Sequence, residues 1–554
     1  MKELFNRKVL SAALCTVVAS TAVLAGCSEK TEESKIVEEK STASQTAAPA
    51  KKSKIRVSVY DRGQIPAGEG DFTKNRWTQW INENAPVEVE FVPVPRGEDV
   101  QKHNLLFASG SGPDLVVSYS GSLRNDLFTQ KQLRPLDDLL EKSTTYKKLV
   151  EQYPLANKMG MKPDGKIYDF SRITGLSSNH VLLVRQDWLD KLKLTAPATV
   201  EEFYNVAKAF TENDPDGNGK KDTLGTNISH ITGAVIHIMF DSTFVNLDYN
   251  QIPYRFDANG KLINGFQHTK EAVDFQKRLF DGGFVDKDWV TDKNGEKAKQ
   301  DWLNGKIGMY AANKGGYDLA LYEALKKNNA NAQVVAIPVP EGPYGKFSAA
   351  QDAPVQPTAS VNSRAKDPEA VMKFVDWMST ESVLTTLKFG LEGVHWKKGV
   401  NGCPEIIDRE KNKKEVDWNY DYWTPLGSTV LLGKCAQYEV TLDTKNPVQN
   451  EFMTIHKASN AAYLTKDRPV QTKIDNLPPL PQDLQLVTTN TGMADMWVKA
   501  IVGGKSYTAE QAYKDVVDLW NKRGGTKVEE FFNKYIDENK KLIYRPDVDN
   551  YVGM

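Results

Sequence analysis

Lys54-Ile55-Arg56-Val57-Ser58-Val59-Tyr60 alternates apolar and polar residues as a half-buried strand does. It ends at Asp61-Arg62 and a glycine-rich loop, Gly63 to Gly70. A helix pattern follows from about Asn75 through Trp77, Trp80 and Ile81. Val87-Glu88-Val89-Glu90-Phe91-Val92 reads as a second strand. A further helix leads to Leu105-Leu106-Phe107-Ala108-Ser109-Gly110, and Pro113-Asp114-Leu115-Val116-Val117-Ser118 reads as a buried strand. Strands alternating with helices build parallel βαβ units, so the spacing predicts an α/β body. In open α/β sheets ligands bind beyond the carboxyl ends of the strands. That rule directs attention to Asp61-Arg62 and to Ser118-Tyr119-Ser120.

Upstream of this strand, Ser28 to Ser53 is rich in Glu, Lys, Ser, Thr and Ala and nearly free of large apolar residues. It cannot bury enough surface to offset its ordering entropy, so residues 27–53 are expected to form a disordered tether. Its end-to-end distance would be roughly 25–30 Å. Before it, Val9 to Val23 is an apolar run behind Lys2, Arg7 and Lys8. At about fifteen residues it is short for a bilayer span and suits a secretory signal over residues 1–26. The run closes on Leu24-Ala25-Gly26-Cys27, which resembles the lipobox of bacterial lipoproteins. That resemblance implies cleavage before Cys27 and acylation of its thiol. The protein would then be lipid-anchored at the extracytoplasmic face of the cell membrane.

The folded body of about 500 residues exceeds what one core supports, so two or more lobes are expected. A formal net charge of -1 offers no electrostatic case for nucleic acid or an anionic lipid surface. Cys403 and Cys435 form an even pair able to close a disulfide in an oxidising compartment, although spacing alone does not pair them. There is no HExxH, G-x-S-x-G, P-loop or dinucleotide fingerprint.

Ala108-Ser109-Gly110-Ser111-Gly112-Pro113-Asp114-Leu115 resembles the SG-x-x-PD signature of extracellular solute-binding proteins of ABC importers, in the oligosaccharide-binding branch. Gly165-Lys166-Ile167-Tyr168-Asp169-Phe170, Val184 to Leu189, Pro197 to Phe210 and Asn304 to Met309 resemble further family segments in the same order. Phe389 to Trp396 is similar to a mark of the long firmicute lipoproteins. The resemblance implies a two-lobe, periplasmic-binding-protein-like α/β fold with a hinge and an interlobe cleft. The first lobe would comprise residues 54–174 with part of about 312–365. The second would comprise 175–311 with most of 366–540, and 541–554 would be a tail. The implied function is capture of an oligosaccharide and delivery to permease subunits, by a monomer that catalyses nothing. A lipid-anchored polysaccharide hydrolase or lyase, or a peptide receptor, is the alternative.

Asp214-Pro215-Asp216-Gly217-Asn218-Gly219-Lys220-Lys221-Asp222 places oxygen side chains at the first, third, fifth and ninth positions of an EF-hand-like loop, with glycine at the sixth. Calcium takes six to eight oxygens, and alternate side chains in a tight turn converge on one point. Asp214, Asp216, Asn218 and Asp222, with the Lys220 carbonyl, are therefore the expected ligands of a structural calcium. The loop departs from the pattern at the twelfth position, Gly225, where an EF-hand has glutamate. It also resembles a loop of alginate-binding receptors that carries an acidic residue where this chain has Thr223.

Sugars offer apolar CH faces and many hydroxyls, so a receptor needs aromatic faces with charged and amide groups beside them. By position, Asp61, Arg62, Tyr119 and Arg124 are candidate contacts. Asn179 and Tyr317 lie near places where the resembled family carries cleft residues. Trp396 and Trp423 are further candidates. The run Trp418-Asn419-Tyr420-Asp421-Tyr422-Trp423 is aromatic-dense and expected to be non-helical. Trp77, Trp80, Trp188, Trp302 and Trp377 sit in helix-like patterns and are expected in cores.

Overall fold

The computed structural model describes residues 52–178, 180–242, 252–292, 294–313, 319–349, 351–437, 442, 445–465, 467–468, 477–488, 492–545 and 549. Cys27, the signal, most of the tether, Asn179 and Tyr317 lie outside the described residues. In chain order the strands are β1 (Lys54–Asp61), β2 (Glu88–Pro95), β3 (Leu115–Val117), β4 (Asp169–Ile173), β5 (Ser177–Ser178), β6 (His180–Arg185), β7 (Tyr254–Phe256) and β8 (Leu262–Asn264). They continue with β9 (Met309–Asn313), β10 (Val334–Ile337), β11 (Gln351–Asp352), β12 (Val355–Val361), β13 (Trp396–Lys398) and β14 (Pro404–Ile406).

β1 and β2 pair in parallel from Lys54 opposite Glu88 to Asp61 opposite Pro95. Helix Arg76–Asn84 connects them, and Asn75 starts it: its side chain accepts from the Trp77 and Thr78 amides while Thr78 reciprocates. Trp77 and Ile81, one turn apart, are buried in the core of this sheet. The sheet has the order β2-β1-β3-β12-β4, with β12 antiparallel to both neighbours. A second sheet, β10-β6-β9, is antiparallel. Every residue of its central strand β6 is buried.

Each sheet has its own core. Ile55, Val57, Leu115, Phe170 and Val361 anchor the first. Leu182, Val184, Phe203, Phe210 and Trp302 anchor the second. The chain first passes between the two at Thr174–Ser178 and returns at Gln351–Pro354, where β5 and β11 pair antiparallel; it passes once more between Leu426 and Pro447. Val355 stands opposite Ile173, and Ala359 opposite Val117. The first two crossings therefore leave the first sheet at the end where β1 and β3 present their carboxyl termini.

After residue 366 the chain contributes to both cores. Helix Pro368–Met378 buries Ala370, Val371, Phe374 and Val375 in the first core, and Val383, Leu387, Trp418 and Tyr422 join them. A short link from β12 returns this helix to the sheet it has just left, so residues 368–426 pack with the first body. Helix Pro447–Tyr463 then joins the second core through Phe452, Ile455 and Tyr463. In the segment expected as a tail, Leu542, Ile543 and Tyr544 are buried, and Asp549 pairs with Lys158 at 2.7 Å. A Cys403–Cys435 disulfide ties the β13–β14 hairpin to the segment Thr429–Ala436. Of the tryptophans expected in cores, Trp77, Trp188 and Trp302 are buried, and Trp80 and Trp377 pack half-buried on the first core.

Candidate functional site

Every strand of the first sheet sends a side chain to one cluster at its carboxyl-terminal end. β1 contributes Tyr60, and Tyr119 stands two residues past β3. Their rings stack with centroids 5.7 Å apart and planes 16° from parallel. Arg96, the residue after β2, holds its guanidinium 4.7 Å from the Tyr60 centroid and 5.7 Å from that of Tyr119. Arg172 of β4 stands 5.1 Å from the Tyr119 ring. Its Nε and Nη2 donate to Gln356 Oε1 of β12, and Nη1 donates to the Thr424 carbonyl. Arg62 lies over Tyr60 and Tyr420, and donates from Nε to Asp421 Oδ2 at 2.8 Å and from Nη2 to Oδ1 at 3.2 Å. The Tyr119 hydroxyl donates to Thr424 Oγ1 at 3.0 Å. Guanidinium over an aromatic face is favourable through the ring quadrupole, more so where water is partly excluded.

A buried network fixes the tyrosine pair from below. Asp99, 5% exposed, accepts from the Tyr60 hydroxyl at 3.0 Å and from Ser118 Oγ at 2.6 Å. His103, fully buried, bridges Asp99 Oδ1 at 2.9 Å and Ser58 Oγ at 3.2 Å. The Tyr60 oxygen in turn accepts the Tyr119 amide at 2.8 Å. Burial pushes the Tyr60 hydroxyl up to about 12, and nearby Asp99 adds to this, so it stays a neutral donor. Burial alone would raise the Asp99 carboxyl, but His103, Ser118 and Tyr60 outweigh it and hold Asp99 below its ordinary value. Burial pushes the Asp421 carboxyl up against the pull of Arg62.

The expected contacts separate on this geometry. Tyr119 and Arg62 belong to the cluster. Asp61 turns back on its own loop, accepting the Gly63 amide at 2.8 Å. Arg124 is a correction: it is 5% exposed and committed to Asp169 and the Ser118 carbonyl. It serves the fold there, since burial raises the Asp169 carboxyl but Lys162 and Arg124 overcome this and keep it ionised. Trp423 is half-buried, with its indole donating to Asn419. Trp396 packs in a separate small cluster with Leu384, Phe389 and Leu432, and its indole donates to the Gly390 carbonyl. The run from Trp418 is helical, contrary to expectation: Asp417–Asn419 and Tyr420–Trp423 are two short helical turns. Trp418 and Tyr422 enter the core, and Tyr420 turns to Arg62. Sequence reasoning missed Arg96 and Arg172. The carboxyl-end rule that singled out Asp61 and Tyr119 would have found Arg96 had it been applied to the second strand. A cavity in the second body, lined by Val200, Glu201, Phe275, Arg278, Glu341 and Gly342, shares no residue with this cluster.

In the 214–222 loop Asp214 accepts from the amides of Gly217, Asn218 and Gly219. Asn218 Nδ2 donates to Asp216 at 2.8 Å and to Asp222 at 3.0 Å. Gly217 and Gly219 carry φ of 76° and 79°, where glycine is favoured. Burial pushes the Asp216 carboxyl up, and the neighbouring Asp214 adds to it. Carboxylate and amide oxygens are the donor types that suit a hard cation. Among the described residues, however, no three His, Cys, Asp or Glu side chains stand grouped to hold a metal. The two departures have physical reasons. A Cβ at Gly225 would collide with the Ala207 backbone. Thr223 is buried, and its hydroxyl donates to the Phe210 carbonyl at the end of helix Val200–Glu212.

Two α/β bodies linked by paired crossing strands, with a polar aromatic cluster facing those crossings, define a two-lobe ligand-binding protein. The chain belongs to the family described as bacterial extracellular solute-binding protein, whose pattern matches residues 70–383. It is similar to the polygalacturonan/rhamnogalacturonan-binding protein YtcQ of Bacillus subtilis, 27% identical over 471 residues covering 80% of this chain and 87% of that one. It is also similar to lipoprotein LipO of Bacillus subtilis, 26% identical over 487 residues covering 82% and 87%. In fold it matches the Streptococcus pneumoniae ABC-transporter substrate-binding protein FusA, solved as an EF-hand mutant with fructo-nystose. The TM-score is 0.61 at 19% identity, covering 88% of this chain and 99% of that one. Among the described residues no helix is long and apolar enough to cross a membrane.

Proposed function

We propose that this protein is the substrate-binding component of an ABC importer for an oligosaccharide. The observation that carries the reading is the Tyr60–Tyr119 pair with its arginines, placed at the carboxyl edge that faces both paired crossings. Stacked rings give sugar CH faces a platform, and guanidinium and amide groups beside them pair hydroxyls. The relative named for polygalacturonan and rhamnogalacturonan and the neighbour holding fructo-nystose support the same reading. Residues Thr174–Ser178 and Gln351–Pro354 act as the hinge, and the lobes close over ligand. Closure matters because ligand must favour the closed form for a permease to tell loaded from empty. The protein works as a monomer and is held outside the membrane through lipid on Cys27.

The loop at 214–222 takes calcium in this reading. Asp214, Asp216, Asn218 and Asp222 would hold it with the Lys220 carbonyl, and the ion would supply a fixed positive charge that relieves the Asp214–Asp216 repulsion. The loop joins the end of helix Val200–Glu212 to Leu224, which bridges to Ile307 just before β9, so the role is structural.

Calorimetric titration with a panel of plant and microbial oligosaccharides tests the proposal, with an assay for new reducing ends run on the same mixtures. Saturable binding without cleavage is expected. Release of reducing ends would favour a hydrolase or lyase, and binding of peptides alone would favour a peptide receptor.

A further inference from the structure

Three guanidiniums gather around Tyr60, Tyr119 and Tyr420, yet they meet one ion-pairing carboxylate. Arg62 takes both oxygens of Asp421. Arg172 meets only neutral acceptors, Gln356 and the Thr424 carbonyl, which leave hydrogens free on both terminal nitrogens. Arg96 has no ion pair or hydrogen bond among the described residues, and its Nε is buried without a partner. Its contacts are the faces of Tyr60 and Tyr119. No acid pairs directly with Arg96: Asp61 caps its own loop, Asp99 is spent on Tyr60, Ser118 and His103, and Asp421, which feels Arg96 through space, gives its hydrogen bonds to Arg62.

A guanidinium withdrawn from water without an anion is unfavourable, and its planar fork matches a carboxylate bidentately. Arg96 and Arg172 both stand beside the Tyr119 ring, within 6 Å of its centroid. A sugar ring on Tyr119 would put its substituents between them. Building on the saccharide reading above, we infer that Arg96 and Arg172 form a subsite for the carboxylate of a uronic acid, making the natural ligand an acidic oligosaccharide. Asp421 pairs directly with Arg62 and acts on Arg96 only through space, so Arg96 and Arg172 keep guanidinium hydrogens for an incoming anion.

The test titrates the purified protein with trigalacturonate, its fully methyl-esterified form, an uncharged galactose trimer and a sulfated trisaccharide, at low and high salt. The free acid is expected to bind about 10- to 100-fold tighter than the ester, as charge-assisted hydrogen bonds warrant. High salt should narrow that gap. Arg96→Gln and Arg172→Gln should each weaken the acid more than the neutral trimer. Arg172→Lys and Arg96→Lys should retain part of the preference, and they carry the test if a glutamine variant fails to fold. Equal binding of acid and ester, or a preference that survives the double glutamine variant, overturns the inference while the saccharide receptor stands. A sulfated trisaccharide that matches the uronate overturns the assignment to carboxylate. If no saccharide binds in any arm, the receptor reading falls with it.

Discussion

Asp99→Asn removes one oxygen atom from a buried site and should be felt at both the core and the cluster. In the native protein Oδ2 takes hydrogens from the Tyr60 and Ser118 hydroxyls, and Oδ1 faces the His103 ring. Asparagine has one oxygen. Turned toward the hydroxyls, it sets its own NH2 against the His103 edge, which can adapt by changing tautomer. Turned the other way, it sets NH2 against two hydroxyls, one of which must give up its bond. In either case the charge assistance is gone. A hydrogen bond to a charged group contributes about 1.5–3 kcal/mol, and three bonds are weakened or lost together. A net loss of about 2–4 kcal/mol in the unfolding of the first body follows, with coupling within the network limiting the sum. Tyr60 also holds the Tyr119 amide, so a looser Tyr60 should displace the aromatic pair and weaken saccharide binding several-fold. Urea unfolding followed by tryptophan fluorescence, with calorimetric titration on the same sample, measures both effects. Tyr60→Phe, which removes one hydroxyl but keeps the ring, should cost about 1–2 kcal/mol. Wild-type stability and affinity in Asp99→Asn would refute the idea that this network positions the site.

Stability should fall between pH 7 and pH 5. His237 and His268 are buried, and burial pushes them down to about 3 and about 4. The unfolded chain takes up protons near pH 6.5 that the folded chain refuses, so stability is lost as pH drops. The loss is about 2 kcal/mol for each histidine at pH 5, offset in part by Asp241 beside His268, which burial pushes up to about 6; a melting midpoint that stays flat over this window would contradict it. Calcium should raise the melting midpoint of wild type but not of Asp216→Ala, and chelator should abolish the difference; equal midpoints with calcium and chelator in wild type would reject the loop as a metal site. Cys27→Ser should move the protein from the membrane fraction to the medium, and a variant that still takes up labelled fatty acid would reject the anchor.

The first body was legible because its signals are local. Alternation over Lys54–Tyr60 and the helix pattern from about Asn75 mark elements that the structure places at Lys54–Asp61 and Arg76–Asn84. The cluster was half legible. Tyr119 follows from the carboxyl-end rule, whereas Arg172 lies inside a strand, and nothing in its sequence neighbours tells which end of the sheet it serves. Arg124 looked equivalent to Arg62 in the sequence, and only the buried Asp169 distinguishes them. The 418–423 run was misread although Trp418 and Tyr422 stand one helical turn apart, a spacing that marks a buried helix face. Which body covers residues 368–426 is not legible, because a helix pattern states which face is apolar and not which sheet will cover it.

In the proposed function a saccharide rests on the Tyr60–Tyr119 pair at the carboxyl edge of the first sheet. The affinity of Tyr119→Ala for a saccharide that wild type binds tests it most directly, with the unfolding midpoint of the variant as control. Tyr119 is half-buried, so its loss should cost less than the about 3–5 kcal/mol of a core aromatic. Contacts of about 1–3 kcal/mol per stacked ring, measured for bases and taken here as a guide, translate to roughly 10- to 100-fold weaker binding. That loss, in a protein that still unfolds cooperatively near the wild-type midpoint, is the result predicted. Unchanged affinity in a folded Tyr119→Ala variant would place the ligand elsewhere and contradict the account.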